Sequence, residues 1–206
     1  MSIGILNNGL GNVGAVFNIV FSQGWDPVSV SSPEDFKDIS HLIIPGVGSY
    51  STAIHKLTKK DLILPIKEFA EKGNPILGIC IGMQILNDTG VEGGKSLGLG
   101  LIPGDTLPLK KFDGLNLPHV GWNEVIHLKD HPIIEGIKSS IDFYFVNSYF
   151  FQSLDCDVIV SQSNYGQDFP AIVARKNIIG VQFHPEKSQT NGLRLIDNFC
   201  LWDGKC

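Results

Sequence analysis

The sequence predicts an α/β fold in which a mostly parallel or mixed sheet is flanked by helices. In the first half, short β-rich runs alternate with apolar residues at helical spacing, a pattern typical of parallel strands joined by crossover helices. Hydrophobic residues make up 43% of the 206 residues, which is enough to build a full core. No repeat or low-complexity linker divides the chain, so we expect residues 1–206 to form one domain.

Four strands are expected in the first half, each a short apolar run bounded by turn residues or helical segments. They cover residues 3–6, 27–30, 41–44 and 76–79. Helical patterns separate them at residues 13–21, from a capped start at Ser32-Pro33-Glu34-Asp35, and at about 65–72 before the helix-ending Gly73. This order of strands and helices places helices on both faces of the sheet.

The second half is dominated by β signals and ends in one helix. Residues 87–118 are rich in glycine and turn residues, which favours loops and short strands. The strands expected after them cover residues 122–128, 143–151, 158–161, 172–174 and 178–183, and the last two form a hairpin. The closing amphipathic helix is indicated by Leu193, Ile196, Phe199 and Cys200.

Charge and hydropathy exclude several classes of partner. Lys and Arg number 16 and Asp and Glu number 21, which gives a net charge of −5, and the basic pairs are scattered along the sequence. A nucleic-acid or anionic-membrane surface would need clustered positive charge. The N-terminus lacks a cationic start, and no apolar stretch approaches the ~20 residues of a membrane span. We therefore expect a cytoplasmic protein without a nucleic-acid or membrane partner.

The four cysteines indicate neither a zinc site nor a disulfide framework. No C-x-x-C pair and no histidine at zinc-ligand spacing occurs around Cys80, Cys156, Cys200 or Cys206. A core of this size needs no disulfide. We expect no metal and no cofactor, and the useful question is whether one thiol is reactive.

A glycine-rich turn follows the first strand. The segment Gly9-Leu10-Gly11-Asn12-Val13-Gly14 matches the G-x-G-x-x-G pattern of dinucleotide-binding folds, between a strand and a helix as that motif requires. The acidic residue that would hold the ribose hydroxyls is missing, because residues 28–32 end in serines. We favour a tight, closely packed turn over a cofactor site. A dinucleotide-binding module stays as the alternative.

Cys80 lies in the sequence pattern of a nucleophile elbow. An apolar run leads into Gly78-Ile79-Cys80-Ile81-Gly82, and residues 83–86 are expected to continue as a helix. Small residues two before and two after the nucleophile allow the sharp strand-to-helix turn. At a helix N-terminus, the dipole and the free N–H groups favour a thiolate. The alternative is an ordinary buried cysteine, which is the usual place for this side chain.

His184 and Glu186 supply the base that a reactive thiol needs. They follow an apolar strand in Phe183-His184-Pro185-Glu186, and residues two apart in an extended chain point to the same side. Glu186 can then accept a hydrogen bond from one ring nitrogen and leave the other nitrogen for Cys80. The alternative is a surface histidine in a turn beside a solvated acid.

The elbow and the His-Pro-Glu segment together resemble the class I, or triad, glutamine amidotransferases. Four segments narrow the resemblance to the glutaminase subunits of imidazole glycerol phosphate synthase. These segments are residues 45–48 (PGVG), 78–84 (GICIGMQ), 118–123 (PHVGWN) and 183–188 (FHPEKS). The third is the most specific, because other amidotransferase groups generally lack it. The resemblance implies a flavodoxin-like fold.

The resemblance also implies roles for individual residues. Cys80 is the expected nucleophile, His184 the general base and acid, and Glu186 the partner that orients His184. The oxyanion donors are expected in the loop 45–48 and at the Ile81 N–H. The residues expected to bind glutamine or its oxyanion are Gly46, Val47, Gly48, Ile81, Gln84, Asn147, Ser148 and Tyr149.

The resemblance further implies hydrolysis of L-glutamine through a cysteinyl thioester, without a cofactor. The ammonia would pass to a synthase subunit with a (β/α)8 barrel, which closes the imidazole ring in histidine biosynthesis. The two subunits would form a heterodimer, with Trp122 and Asn123 at the interface.

Two segments depart from the family pattern. Asn7-Asn8-Gly9 stands where members commonly have Asp-Tyr-Gly, and Asn147 stands where synthase members often have histidine. Asn147 can still hydrogen-bond the α-groups of glutamine, so hydrolysis remains expected. The departures leave the ammonia acceptor open, because paralogues feed ammonia to sugar modification in surface-polysaccharide pathways. A stand-alone cysteine hydrolase or peptidase and a non-catalytic scaffold are further alternatives.

Overall fold

The computed structural model describes residues 2–7, 9 and 11–205. In this part of the chain, thirteen strands form two sheets, and five α-helices accompany them. The strands are β1 (Ser2–Leu6), β2 (Asp26–Val30), β3 (His41–Ile44), β4 (Ile76–Ile79), β5 (Thr89–Gly90), β6 (Ser96–Leu97), β7 (Asp105–Pro108), β8 (His119–His127), β9 (Ile141–Asn147), β10 (Tyr149–Gln152), β11 (Ile159–Asn164), β12 (Asp168–Arg175) and β13 (Ile178–Val181). The helices are α1 (Val13–Ser22), α2 (Tyr50–Lys59), α3 (Ile63–Glu71), α4 (Ile81–Gln84) and α5 (Gln189–Leu201).

The larger sheet has nine strands in the order β2-β1-β3-β4-β13-β12-β11-β8-β9. Its first five strands pair in parallel, and the pairs from β13 to β9 are antiparallel. The smaller sheet has the order β10-β7-β5-β6. The predicted α/β class with a mixed sheet is confirmed, and the C-terminal hairpin is the antiparallel pair β12 and β13.

The parallel half of the sheet follows the sequence prediction closely. All four strands predicted there are present, with bounds within one residue of those expected. β3 and β4 are buried at every residue, as expected for uninterrupted apolar strands covered on both faces. The predicted helix at residues 13–21 is α1, which begins where the Asn12 side chain accepts the Ala15 N–H at 3.3 Å.

The helix predictions need three corrections. The start at Ser32 opens only a 3-10 turn, Pro33–Lys37, because β3 begins four residues later. The helix expected at 83–86 after the elbow is the single turn α4, which ends because the Leu86 N–H bonds back to the Met83 carbonyl three residues earlier. The sequence analysis missed α2, whose buried side is formed by Tyr50, Ala53 and Leu57.

The run 143–151, predicted as one strand, is two strands in different sheets. β9 pairs with β8 in the larger sheet, and β10 pairs with β7 in the smaller one. Ser148 lies between them, and its carbonyl accepts the Leu109 N–H at 2.9 Å. The polar pair Asn147-Ser148 interrupts the apolar and aromatic residues of this run at the point where the chain changes sheet, residues 147–149.

A single hydrophobic cluster extends from Ile3 on β1 to Phe151 on β10 and so joins the two sheets. Within the described ranges, no helix combines the length and the apolar character that a bilayer crossing requires. Cys80, Cys156 and Cys200 are free thiols, and Cys206 lies outside the described residues.

Candidate active site

Cys80 is held in a strained turn between β4 and α4. Its φ of 54° lies in the left-handed region that non-glycine residues rarely adopt. Its N–H donates to the Val181 carbonyl on β13 at 2.8 Å, so the turn is fixed to the neighbouring strand. Strained backbone of this kind persists only where the surrounding structure holds it, and it concentrates at functional sites.

Glycine is required on both sides of Cys80 because backbone segments approach closely there. A Cβ at Gly78 would lie 2.5 Å from the Gly82 carbonyl oxygen. A Cβ at Gly82 would collide with the carbonyl oxygen of Ile44 on β3. The strand-to-helix turn predicted from the G-x-C-x-G spacing is therefore present, and steric contacts explain each glycine.

His184 and Glu186 form a buried hydrogen-bonded pair. His184 Nδ1 is 2.8 Å from Glu186 Oε1, and the two side chains expose only 4% and 3% of their surface. The His184 N–H donates to the Tyr144 carbonyl at 2.8 Å, and the His184 carbonyl accepts the Ser188 hydroxyl at 2.7 Å. The ring and the backbone of His184 are therefore both fixed.

The surroundings of His184 favour its charged form. Burial alone would lower the pKa of the ring, but hydrogen bonds and charge interactions with Cys80 and Glu186 outweigh it and raise the pKa of His184 to about 10. An imidazole that retains a proton this strongly can hold the proton removed from the neighbouring thiol. The structure thus brings together the three side chains singled out at positions 80, 184 and 186.

A cavity of about 200 Å³ opens at Cys80. It is smaller than the roughly 300–1,000 Å³ of pockets for drug-sized ligands, so it suits a small substrate. Its lining includes most of the residues expected at the site, namely Val47, Gly48, Cys80, Ile81, Gln84, Asn147, Ser148, Tyr149 and His184. Glu186 lies behind His184 and is not part of the lining.

The loop 45–48 lies beside the elbow. Val47 and Gly48 line the cavity, and Gly48 has a φ of 108°, which glycine adopts without strain. Gly46 lies behind them, where a Cβ would be 2.8 Å from the Gly82 nitrogen, so its contribution is close packing against the elbow. The Ile81 N–H, as the first of a helix, has no acceptor within the helix. Backbone N–H groups are therefore available next to the sulfur.

The amides of Gln84 and Asn147 line the cavity. Gln84 Nε2 donates to the Tyr149 carbonyl and to Gln182 Oε1, both at 3.0 Å. Asn147 Nδ2 donates to the same Tyr149 carbonyl at 3.1 Å, and the Asn147 side chain also interacts with the His119 ring. Among the described residues, Gln84 Oε1 has no hydrogen-bond partner. A buried acceptor of this kind is normally satisfied, so a ligand or a water molecule is expected to donate to it.

Three lining residues were not predicted from the sequence: Glu92, Pro118 and Val146. Glu92 Oε2 accepts the Tyr50 N–H at 2.9 Å, which places the carboxylate between α2 and the cavity. Partial burial raises the pKa of Glu92, although this hydrogen bond opposes the shift. Glu92 lies in a glycine-rich loop whose sequence carries no signal of its position. Pro118 begins the segment 118–123 that was singled out, and Val146 adjoins Asn147, so this proximity was the available signal.

Trp122 and Asn123 lie outside the cavity. Trp122 is 47% exposed, and its ring meets the Tyr144 ring edge-on with 5.9 Å between centroids. The Asn123 side chain donates to the Asn164 carbonyl at 2.8 Å and so ties β8 to the end of β11. An exposed tryptophan is available for a partner, whereas Asn123 already has a structural contact.

The glycine-rich turn at residues 9–14 packs against the loop 45–48. A Cβ at Gly11 would lie 3.1 Å from the Gly46 nitrogen, and Lys56 Nζ donates to the Gly9 carbonyl at 2.6 Å. This packing supports the interpretation of the glycines as a close turn. Asn8 and Leu10, which belong to the two motifs noted there, lie outside the described residues. No group of three or more His, Cys, Asp or Glu within the described ranges could hold a metal ion.

The sequence matches a known family along nearly its whole length. The glutamine amidotransferase class-I family covers residues 5–202. The chain belongs to this family. It is 40% identical over 200 residues to the imidazole glycerol phosphate synthase subunit HisH of Desulfitobacterium hafniense, with 97% of this chain and 94% of the relative covered. The subunit of the same name from Salinibacter ruber is 37% identical over 200 residues, with 95% and 92% covered.

Solved structures share the fold at lower sequence identity. A glutamine amidotransferase crystal structure superposes with a TM-score of 0.77 at 20% identity, over 98% of both chains. The structure of PurLQS from Thermotoga maritima superposes with a TM-score of 0.78 at 18% identity, over 97% of both chains. At these identities the likeness establishes the amidotransferase fold alone.

Proposed function

We propose that this chain is the glutaminase subunit of an imidazole glycerol phosphate synthase, hydrolysing L-glutamine to glutamate and ammonia. One arrangement of side chains carries the proposal. Cys80 and His184 line the same small cavity, Glu186 lies behind His184 with its Oε1 2.8 Å from His184 Nδ1, and the pKa of His184 is raised. The relatives near 40% identity, all named as HisH subunits of that synthase, support it. The family match over residues 5–202 supports a single domain across residues 1–206.

In the proposed mechanism, His184 takes the proton of the Cys80 thiol, and the sulfur attacks the side-chain amide carbon of glutamine. The Ile81 N–H and the loop 45–48 donate to the oxyanion; one such donor is typically worth ~10²–10³ in rate. His184 then returns the proton to the amide nitrogen, the C–N bond breaks, and ammonia departs. A glutamyl thioester remains on Cys80. Water activated by His184 cleaves the C–S bond and releases glutamate.

The cavity lining supports glutamine as the substrate. We assign the Glu92 carboxylate to the substrate ammonium group, because it is the acidic side chain among the lining residues. The unpaired Gln84 Oε1 would accept an N–H group of glutamine, which satisfies a buried acceptor, and the lining residue Asn147 would contact the α-groups of the substrate. Ser148 and Tyr149, at the junction of β9 and β10, complete this proposed binding side.

Ammonia needs a shielded route, because free ammonia at neutral pH is mostly the non-nucleophilic ammonium ion. We therefore propose a heterodimer with a (β/α)8-barrel synthase subunit that receives the ammonia and acts in histidine biosynthesis. The exposed Trp122 ring is the proposed contact, with Asn123 beside it. The free thiols of Cys80, Cys156 and Cys200 agree with a proposed location in the reducing cytoplasm.

The test replaces Cys80 with alanine in the assembled complex. Glutamine-dependent synthesis and glutamate release should both disappear, while synthesis driven by added ammonium salt should continue at the wild-type rate. Persistent glutamine hydrolysis by Cys80→Ala would refute the assignment. Co-purification of the partner, followed by identification of its substrate, distinguishes the two possible ammonia acceptors. Turnover of the histidine-pathway ribonucleotide supports the proposal. Turnover of a nucleotide-sugar would favour a surface-polysaccharide paralogue, the alternative that the departure at Asn147 leaves open.

A further inference from the structure

Gln182 lies directly behind the sulfur of Cys80. Its side chain is fully buried, and its Nε2 is 3.7 Å from Cys80 Sγ, a hydrogen-bond distance for the large sulfur atom. Gln182 is not among the residues that line the cavity, so it is placed to act on the nucleophile and not on the substrate. It directly follows β13 and precedes His184 by two residues, where the chain bends beside Cys80.

The hydrogen-bond network fixes which end of the Gln182 amide faces the sulfur. The Tyr149 carbonyl can only accept, so the end of Gln84 that contacts it must be Nε2. Because Gln84 Nε2 can only donate, its second partner on Gln182 must be Oε1, at 3.0 Å. The Nε2 group of Gln182 is therefore left facing Cys80 Sγ. The orientation follows from a backbone carbonyl and needs no assumption about either amide.

The sulfur lies between one acceptor and one donor. Cys80 Sγ is 3.7 Å from the Val146 carbonyl, which can accept a hydrogen bond only from the neutral thiol. Gln182 Nε2 donates, so its hydrogen bond strengthens when the sulfur carries a charge. Loss of the thiol proton to His184 therefore removes the first interaction and reinforces the second.

We propose that Gln182 is a further catalytic residue, whose side-chain N–H stabilises the Cys80 thiolate. The proposal deepens the glutaminase function and rests on it. Among the described residues, the titratable side chains that line the cavity with Cys80 are Glu92, Tyr149 and His184, and Glu186 lies behind His184. Gln182 adds a neutral donor to this set, so its contribution does not depend on its own ionisation.

The test measures alkylation of Cys80 by iodoacetamide as a function of pH, with peptide-level mass spectrometry to separate Cys80 from the exposed Cys156. Gln182→Met removes the donor while keeping a similar shape. The pH at which alkylation reaches half of its maximum rate should rise by about one unit, and glutamine turnover in the complex should fall about tenfold or more, since hydrogen bonds to charged groups are strong. An unchanged alkylation profile in folded Gln182→Met would overturn the proposal.

A second variant and a control keep the test decisive. Gln182→Glu retains an acceptor for Gln84 but places an oxygen where the donor was, so the alkylation profile should again move to higher pH. Asn177 directly precedes β13, at the end of the strand away from Gln182. Asn177→Ala removes two amide hydrogen bonds there, to the Ala70 and Asn74 carbonyls, and should lower stability while leaving alkylation unchanged. A shift in Asn177→Ala equal to that in the Gln182 variants would mean a general packing effect and would also overturn the proposal.

Alkylation requires neither glutamine nor the partner subunit, so the two proposals fail in different ways. Wild-type Cys80 that alkylates readily but supports no glutamine hydrolysis in the complex contradicts the glutaminase function. Active wild-type enzyme with no shift in the Gln182 variants contradicts only the thiolate donor.

Discussion

The two sides of the active-site cavity are built in different ways. The cysteine side is fixed by main-chain contacts: Gly78 and Gly82 let backbone segments meet, and the Cys80 N–H bonds to the Val181 carbonyl. On the histidine side, Glu186 accepts a hydrogen bond from the His184 ring and the Ser188 hydroxyl donates one to the His184 carbonyl, in addition to the main-chain bond of His184. Main-chain contacts leave no space for an added atom, whereas a side-chain hydrogen bond can be weakened in steps. The cysteine side should therefore fail abruptly, and the histidine side should lose activity gradually.

The largest effect is expected from Gly82→Ala. The new methyl group would collide with the Ile44 carbonyl, so β3 and the elbow must separate. We expect loss of glutamine hydrolysis and a fall in the free energy of unfolding of about 3 kcal/mol, measured by urea denaturation. A variant with wild-type stability and activity would show that the elbow tolerates expansion and would remove the contrast between the two sides.

Glu186→Gln is expected to have the next largest effect. The variant keeps an oxygen near His184 Nδ1 but removes the charge that helps to raise the pKa of the ring. The turnover number should fall on the order of 10²-fold, measured with saturating glutamine in the complex. A turnover number within a factor of two of wild type would contradict the role of Glu186.

The same variant should change how stability depends on pH. Because the folded-state pKa of His184 is raised to about 10 from an ordinary 6.5, its stabilisation is fully present below pH 6.5 and is lost as the pH rises toward 10. The stability difference between wild type and Glu186→Gln should therefore be largest near pH 6 and shrink by pH 10. Denaturation at intervals across this range measures it, and a difference that grows with pH would contradict the sign.

Ser188→Ala tests a weaker support on the histidine side. The Ser188 hydroxyl donates to the His184 carbonyl at 2.7 Å and accepts the Tyr144 N–H at 3.1 Å, and the variant removes both interactions. We expect a loss of stability of about 1–2 kcal/mol and a fall in turnover of about tenfold or less. A loss of activity as complete as that of Gly82→Ala would mean that this side is as rigid as the elbow.

Gly14→Ala should have the smallest effect and serves as the control for Gly82→Ala. Gly14 lies within α1, and a Cβ there would have no atom of another described segment within 4 Å. Alanine favours the helix, so stability should rise by up to about 1 kcal/mol with unchanged turnover. A destabilised Gly14→Ala would show that glycines in this chain are sensitive to substitution for reasons other than contact.

The two sides also differ in how far the sequence predicts them. Steric contacts leave glycines at fixed spacing around Cys80, and the His184–Glu186 pair lies within one short segment, so both were found from local patterns. The extended chain expected at this pair is wrong, because Glu186 lies in the 3-10 turn Pro185–Lys187. Glu92 reaches the cavity only through a contact between a loop and α2, and nothing local marks it. The change of sheet at Ser148 depends on pairing with β7, far away in the sequence. The features that local sequence patterns did not predict were those that depend on contacts between distant segments.

Gln182 is an intermediate case, because the sequence predicts only part of its placement. Its position two residues before His184 is visible in the sequence, but the bend at residues 182–183 that sets the direction of its side chain is not. Its importance became apparent only when the structure placed Cys80 opposite that side chain and Gln84 behind the amide.

The most direct test of the Cys80 mechanism is to trap the covalent intermediate. The complex is mixed with glutamine, quenched in acid during turnover, and digested for peptide mass spectrometry. A glutamyl thioester should be found on the peptide that contains Cys80, and it should be absent from Cys80→Ala and after treatment with hydroxylamine. Glutamine consumption with the adduct on another residue, such as Cys156, would contradict the mechanism.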